Sequence, residues 1–478
     1  MSYDKIDHKI AAILSFERIA PSEIMVGIMK YVWLSFLLIE SITVATTQEE
    51  RSLVAQPYYR TNNTSILGKP NYGASLGNPM KGLAGGARWA KPPLPDAVPL
   101  SIEFYNIGLD EIMVGDNKFD WTIVENFLKS SASRKMHAVL SVYIHWPGQP
   151  LRLPPHLKNI RLYTTDNGKS PHYGDERLLT ALQQFISAWG IRMDGDRRVV
   201  AIHVGLLGFW GEGHTYPDLT LVPETSKQAV AEWYRSAFST TQVQARYPGP
   251  NAESFGLYDG SLAYQSLDGP ENGNVKREWF MWPRIQEAGQ QNLWKKSIIG
   301  GETRPELQEI IFTDSYPAGD EWHQSFQKCV NTMHVSYVLH HDAFQNDGYQ
   351  GDVLKKARAA HASMGYSFYI SEIFATVSST VGKVDVGVTV VQSGVAPFYY
   401  DLDLVLECNG AKKVQEGVDD IVEKRQSKLF VFRNIPATDE CLNKLSLRLQ
   451  SSYAYEGRPV LFAQGSDGTV TFRLPLPS

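Results

Sequence analysis

VVAIHVGLLGFWGEGHT, residues 199–215, opens as a run of β-branched and apolar residues without helical spacing and closes on Gly-Glu. It therefore reads as a buried parallel strand that delivers the carboxylate of Glu212 at its C-terminal tip. SIIGGETRP, residues 297–305, has the same construction and delivers Glu302. Two glutamates so placed suggest sugar chemistry. A glycosidic bond needs one carboxylic acid to protonate the leaving oxygen and a second carboxylate, across the ring, to attack or to activate water.

Outward from these strings, strand-like runs alternate with amphipathic segments. SIEFYNI (101–107) precedes DWTIVENFLKSSASR (120–134), HAVLSVYIHW (137–146) precedes DERLLTALQQFISAWG (175–190), and the first string precedes SKQAVAEWYRSAFST (226–240). VQARYP (243–248), SFGLYDG (254–260), KSIIGGE (296–302) and HVSYVLHH (334–341) follow, and NPMKGLA (78–84) supplies a first strand. Eight strands of this kind imply an α/β fold, a (β/α)8 TIM-type barrel over 75–363, with Glu212 ending strand 4 and Glu302 ending strand 7. A doubly wound open sheet would need a Gly-rich phosphate loop after its first strand, and none is present. From Met364 the texture changes to short alternating strands without helical pattern, which predicts a C-terminal antiparallel β-sandwich over 364–478.

With 46 Lys+Arg against 51 Asp+Glu and no basic block, the net charge of −5 argues against a nucleic-acid partner. The 11% aromatic content suits a cleft that stacks on sugar faces. MKYVWLSFLLIESITVA, beginning at Met29, has the charge, apolar run and small residues of a signal peptide over 29–45. Lys30 and Glu40 keep its apolar run too short for a membrane span, so the mature protein is expected to be secreted with no stable membrane span. Residues 1–28 read as a non-structural extension and 46–74 as a polar lead-in. Asn62 and Asn63 head two overlapping glycosylation sequons. Of the three cysteines, Cys408 and Cys441 are expected to bridge within the sandwich, leaving Cys329 buried.

Barrel strands gather reactive groups at their C-terminal ends. Those ends offer Glu103, Tyr105 and Asn106 on strand 2, Tyr143, His145 and Trp146 on strand 3, and Trp210, Glu212 and His214 on strand 4. Strand 6 adds Tyr258 and Asp259, strand 7 adds Glu302 and Arg304, and strand 8 adds His340, His341 and Asp342. Glu212 is the expected general acid/base, its pKa raised by apolar neighbours such as Trp210 and by the second carboxylate, and Glu302 the expected nucleophile. Trp146 and Trp210 are candidate stacking platforms, and His145, His214 and His340 candidate hydroxyl ligands. Glu103, Tyr105, Asp259 and Arg304 complete the candidate substrate-binding set. No cofactor is implied.

The chain resembles the retaining glycoside hydrolases whose acid/base and nucleophile glutamates end barrel strands 4 and 7. More narrowly, NPMKGL, SIEFYNIGLDEIM, FDW, PHYGDERLL, DGDRRVVAIHVGLLGFWGEGHT and GGETRP resemble a family of glycosidase-like barrel proteins carrying domain-of-unknown-function labels, over roughly 75–345. The resemblance implies a carbohydrate substrate and places Tyr258 where a tyrosine contacts the nucleophile. One departure stands out: Gly211 precedes Glu212 where the superfamily usually has an Asn that hydrogen-bonds the sugar 2-hydroxyl.

Two other readings remain. One is a non-catalytic carbohydrate-binding barrel, separated from the enzyme by carboxylate spacing: about 5–5.5 Å for a retaining pair and 6.5–9.5 Å for an inverting one. The other is a metal-dependent hydrolase using His203, His214, Asp259 and His340, which needs three ligands meeting at a point. N-terminal sequencing of the exported protein is expected to find a start between about residues 44 and 50; recovery of residues 1–28 on the mature form would contradict the signal-peptide reading.

Overall fold

A computed structural model describes residues 56–63, 67–71, 73, 75–86, 98–165, 168–264, 266–267, 280–319, 323–340, 349–465 and 468–477. The expected extension and signal peptide, together with His341 and Asp342, lie outside the described residues. Among the described residues no helix is long and apolar enough to cross a membrane.

Eight parallel strands close into a barrel: β1 (Gly82–Gly86), β2 (Ile102–Gly108), β3 (His137–Tyr143), β4 (Val199–His203), β5 (Val243–Ala245), β6 (Gly256–Leu262), β7 (Ile299–Thr303) and β8 (Tyr337–Leu339). Their spatial order is their sequence order, and β8 pairs with β1 to close the ring. Helices α1 (Thr122–Ser133), α2 (Glu176–Met193), α3 (Glu224–Ala237), α4 (Met281–Glu287), α5 (Phe326–Met333) and α6 (Gly351–Ser363) intervene or follow. Each long helix buries one stripe, Leu178, Leu182, Phe185 and Trp189 on α2 for example, against the outward-facing strand residues. Asp175 caps α2 by accepting from the Arg177 amide, and Ser325 caps α5 by accepting from that of Lys328.

Two four-stranded antiparallel sheets follow the barrel. One joins β9 (Phe368–Val377), β10 (Lys383–Gln392) and β13 (Ser427–Pro436); the other joins β11 (Asp403–Cys408), β12 (Ala411–Gln415), β14 (Leu445–Gln450) and β15 (Val470–Phe472). The first sheet takes its fourth strand from far upstream: Tyr59–Thr61 pairs antiparallel with β9. Residues read from sequence as a lead-in therefore include an edge strand of the C-terminal sheet, and the exposed Asn62 and Asn63 directly follow it. Cys408 and Cys441 are disulfide-bonded, their Cα atoms 5.0 Å apart, and Cys329 is buried and free.

The sandwich docks on the N-terminal ends of the barrel strands. Arg458 donates to the carbonyls of Gly77 (2.9 Å), Pro99 (2.7 Å), Leu100 (2.7 Å) and Lys135 (3.2 Å), all just ahead of β1, β2 or β3. The Tyr400 hydroxyl donates to Val200 O (2.8 Å) and the Tyr399 hydroxyl to Trp294 O (2.6 Å). Lys81, wholly buried ahead of β1, donates to the carbonyls of Tyr366 (2.7 Å) and Ala362 (3.1 Å). Arg458→Met leaves four carbonyls without their donor and is expected to cost roughly 3 kcal/mol in urea unfolding. A loss under about 0.5 kcal/mol would mean water replaces the guanidinium without penalty.

Candidate active site

β4 ends at His203, earlier than its apolar run suggests, because Gly205 begins a looped path to Glu212. Leu206 and Trp210 both adopt left-handed φ (77° and 57°), and hydrogen bonds to β3 and its extension hold them there: Leu206 N to Val142 O (2.8 Å) and Trp210 N to His145 O (2.8 Å). Glu212 thus sits on the loop after β4, whereas Glu302 lies within β7. Gly211, the departure noted above, has φ 78°, and a Cβ there would lie 3.2 Å from both Gly205 Cα and Leu206 N. An Asn there would have to keep a left-handed φ and push its backbone neighbours back by a few tenths of an ångström, so Gly fits the loop better.

Both oxygens of Glu212 are engaged. Oε1 is 3.5 Å from Arg246 Nε, and Oε2 is 3.1 Å from His214 Nε2. His214 Nδ1 accepts from the Tyr216 amide (3.3 Å), so the imidazole proton is on Nε2 and is donated to Glu212. Burial pushes the Glu212 carboxyl up, but Arg246 and then His214 outweigh it, and its pKa lies below the ordinary glutamate value. The expectation of a raised pKa is corrected by this guanidinium. Arg246 follows β5, on the same face as the inward Gln244, and also lies 3.9 Å from Asp259. Gly260 makes room for the pair, since a Cβ there would come within 2.8 Å of Glu212 Oε1.

Tyr258 holds the second carboxylate. Its hydroxyl donates to Glu302 Oε2 (3.0 Å). Burial first, then the charges of Glu302 and Glu212, push its pKa well up, so the phenol stays protonated. Phe104 and His203 pack against its ring, at 5.8 and 4.2 Å between centroids. Burial drives His203 down to about 3, so it is neutral.

Several sequence candidates face elsewhere. Phe104 points inward, so its neighbours on β2 point out: Glu103 pairs with Arg134 and accepts from Ser131 (2.6 Å) on α1, and Tyr105 stacks on Phe127 (4.2 Å). Neither is a substrate ligand. His145 is 1% exposed, packed edge-on to Phe209, and its carbonyl anchors the Glu212 loop. His340 is 0% exposed, with Nε2 2.5 Å from the Tyr349 hydroxyl. Asp259 is 1% exposed and accepts from Ser266 Oγ (2.5 Å) and the Ser261 amide (3.1 Å). All three are buried and engaged within the fold.

Arg304 pairs with Glu306 (2.9 Å) and covers the Tyr264 ring (4.0 Å). Trp146 is half-buried against Tyr143 (5.2 Å), and Trp210 is 37% exposed with its ring 5.9 Å from His214. Among the described residues no group of three His, Cys, Asp or Glu side chains is placed to hold a metal ion, and His203, His214, Asp259 and His340 form none.

Arg246 is the residue the strand-end inventory missed. The inventory took nothing from the end of strand 5, although VQARYP carries Arg and Tyr at that position.

No protein-family model matches this chain, and no curated protein sequence matches it. Among solved structures it is similar to endo-glycoceramidase II from Rhodococcus sp. (TM-score 0.39, 11% identity, covering 76% of this chain and 98% of that one). It is also similar to the catalytic domain of a β-amylase from Paenibacillus polymyxa (0.39, 9%, 60% and 99%) and to an endoglucanase from Pseudomonas stutzeri (0.34, 10%, 55% and 81%). Likeness at this level says nothing about the chemistry of the mouth.

The Glu212 carboxyl, followed by carbon-13 NMR, is expected to titrate below the ordinary glutamate value of about 4.3. Arg246→Gln removes the stabilising charge and should move that titration upward; an unchanged midpoint would mean that His214 alone sets it.

Proposed function

We propose that this chain is an exported glycoside hydrolase acting on a carbohydrate polymer or glycoside at the C-terminal mouth of the barrel. What supports this reading is the Tyr258 hydroxyl bonded to Glu302 (3.0 Å) inside the barrel, with the charge of Glu212 also acting on that phenol. Glu302 attacks the anomeric carbon as the glycosidic C–O bond breaks, and the leaving oxygen takes its proton from Glu212. In the second half, the ionised Glu212 accepts a proton from water as that water displaces Glu302. Tyr258 holds Glu302 in one orientation throughout.

The lowered pKa of Glu212 has a consequence for rate. The acid step needs Glu212 protonated and Glu302 ionised, so kcat/KM declines as pH rises through the Glu212 pKa. The expected optimum is acidic, and Arg246→Gln moves the alkaline limb to higher pH.

One observation favours the second reading, a non-catalytic carbohydrate-binding barrel: Glu212 is hydrogen-bonded to His214 (3.1 Å) and ion-paired with Arg246 (3.5 Å), which holds it in the ionised form. A panel of aryl glycosides and plant, fungal and algal polysaccharides separates the two. On a cleaved substrate, Glu302→Gln should abolish turnover. Glu212→Gln should lose on the order of 10²–10⁴-fold on substrates with poor leaving groups, while dinitrophenyl glycosides still form the intermediate and azide rescues their turnover. Near-normal rates in both variants would overturn the assignment, and binding without cleavage across the panel would favour the second reading.

A further inference from the structure

The ring of Tyr247, directly after Arg246, lies beneath two guanidinium groups. The Arg246 and Arg284 Cζ atoms are each 4.6 Å from its centroid. Arg246 is balanced by Glu212 and Asp259. Arg284, half-buried on α4, has no carboxylate within ion-pair distance among the described residues, and the Tyr247 hydroxyl makes no hydrogen bond among them. The same ring is 6.2 Å from His214, the imidazole that bonds Glu212. A planar five-donor fork and a phenolic donor therefore stand together, uncommitted, beside the reacting carboxylate.

Arg304, at the end of β7, differs in this respect because Glu306 already neutralises it. Buried faces on either side of Arg284, Met281 and Ile285, fix the helix that presents it. A guanidinium so held matches an oxyanion in two parallel hydrogen bonds, which a sugar hydroxyl cannot do.

We propose that Arg284 and Tyr247 form a subsite for an oxyanion substituent of the substrate, a sugar carboxylate or sulfate, next to Glu212. The carbohydrate nature of the occupant rests on the function proposed above; the demand for negative charge does not. Arg246 makes the arrangement workable, since its charge offsets the Glu212 carboxylate that would otherwise repel the incoming anion.

The test uses the full-length Glu302→Gln protein, so that binding is read without turnover. Calorimetric titration would compare oligoglucuronate, a sulfated oligosaccharide and a neutral oligosaccharide of matched length. At least one acidic probe is expected to bind 10-fold or more tighter than the neutral one, with a preference that shrinks as salt rises. Adding Arg284→Gln should bring that ratio close to one, Arg284→Lys should keep part of it, and Tyr247→Phe should reduce it, with circular dichroism confirming that each variant folds. Preference for glucuronate alone assigns a carboxylate, and preference for the sulfated probe alone a sulfate ester. The subsite is overturned if neither acidic probe outbinds the neutral one, or if Arg284→Gln leaves the preference intact. Acidic preference in a protein whose wild type cleaves nothing defeats the hydrolase reading alone; cleavage of neutral glycosides without acidic preference defeats the subsite alone.

Discussion

Successive residues of a strand cannot both face the inside of a closed barrel, and this parity assigns every side chain at the mouth. On β2 it puts Phe104 inside and sends Glu103 and Tyr105 to α1. On β7 it puts Gly300 and Glu302 on the same inner row, and the Tyr337 ring fills the space above Gly300, where a Cβ would lie 2.4 Å from it. The Tyr337 hydroxyl then donates to Gln244 Oε1 (2.6 Å), while Gln244 Nε2 donates to Leu257 O (2.8 Å) and His203 Nε2 lies 3.3 Å from the same hydroxyl. With these groups bonded to one another, the floor beneath the glutamates is polar yet satisfied, which keeps it rigid.

The two ends of the barrel have separate tasks. The sandwich spends Arg458, Tyr399, Tyr400 and its contacts with Lys81 on the N-terminal ends of the strands. The C-terminal ends are left to Glu212, Arg246, Tyr258 and Glu302. The sandwich therefore lies on the far side of the barrel from the glutamates. Its contribution is to anchor the ring whose parity positions the site, with conservation of backbone hydrogen bonding as the physical means.

The barrel was legible because its signal is cumulative: apolar runs at repeated intervals, each followed by an amphipathic helix. The sandwich was legible from alternation alone, but its edge strand Tyr59–Thr61 was not, since three residues of polar sequence carry no periodicity and pairing with β9 spans the whole fold. Strand ends named the region of the site without naming the direction of each side chain. The register needed to tell Tyr258 from Glu103 is a property of the closed sheet. Glu212 was found for a partly mistaken reason, because its run looks continuous while the backbone leaves β4 at His203 and reaches Glu212 through left-handed turns. The charge on Glu212 could not be read at all, for Arg246 is 34 positions away along the chain and becomes a neighbour only when β4 and β5 pair.

That neighbour decides what the carboxylate is prepared to do. Between a guanidinium and an imidazole N–H, the ionised carboxylate is stabilised, and every increment of that stabilisation lowers the fraction of Glu212 that carries a proton at a given pH. An acid/base residue needs both forms within one cycle. The ionised form is the one the structure already favours, and on the mechanism proposed above the protonated one must be supplied by low pH or by displacement of His214 as the leaving group enters. Arg246 itself cannot lose its proton, so the hydrogen bond from His214 is the contact that can be broken. The imidazole's donor to Glu212 is set by the Tyr216 amide on Nδ1, a contact made by the same loop that carries the glutamate. Movement of that loop would change the tautomer, the hydrogen bond and the acidity of Glu212 together, so on the function proposed above the 205–216 segment would couple substrate binding to proton transfer.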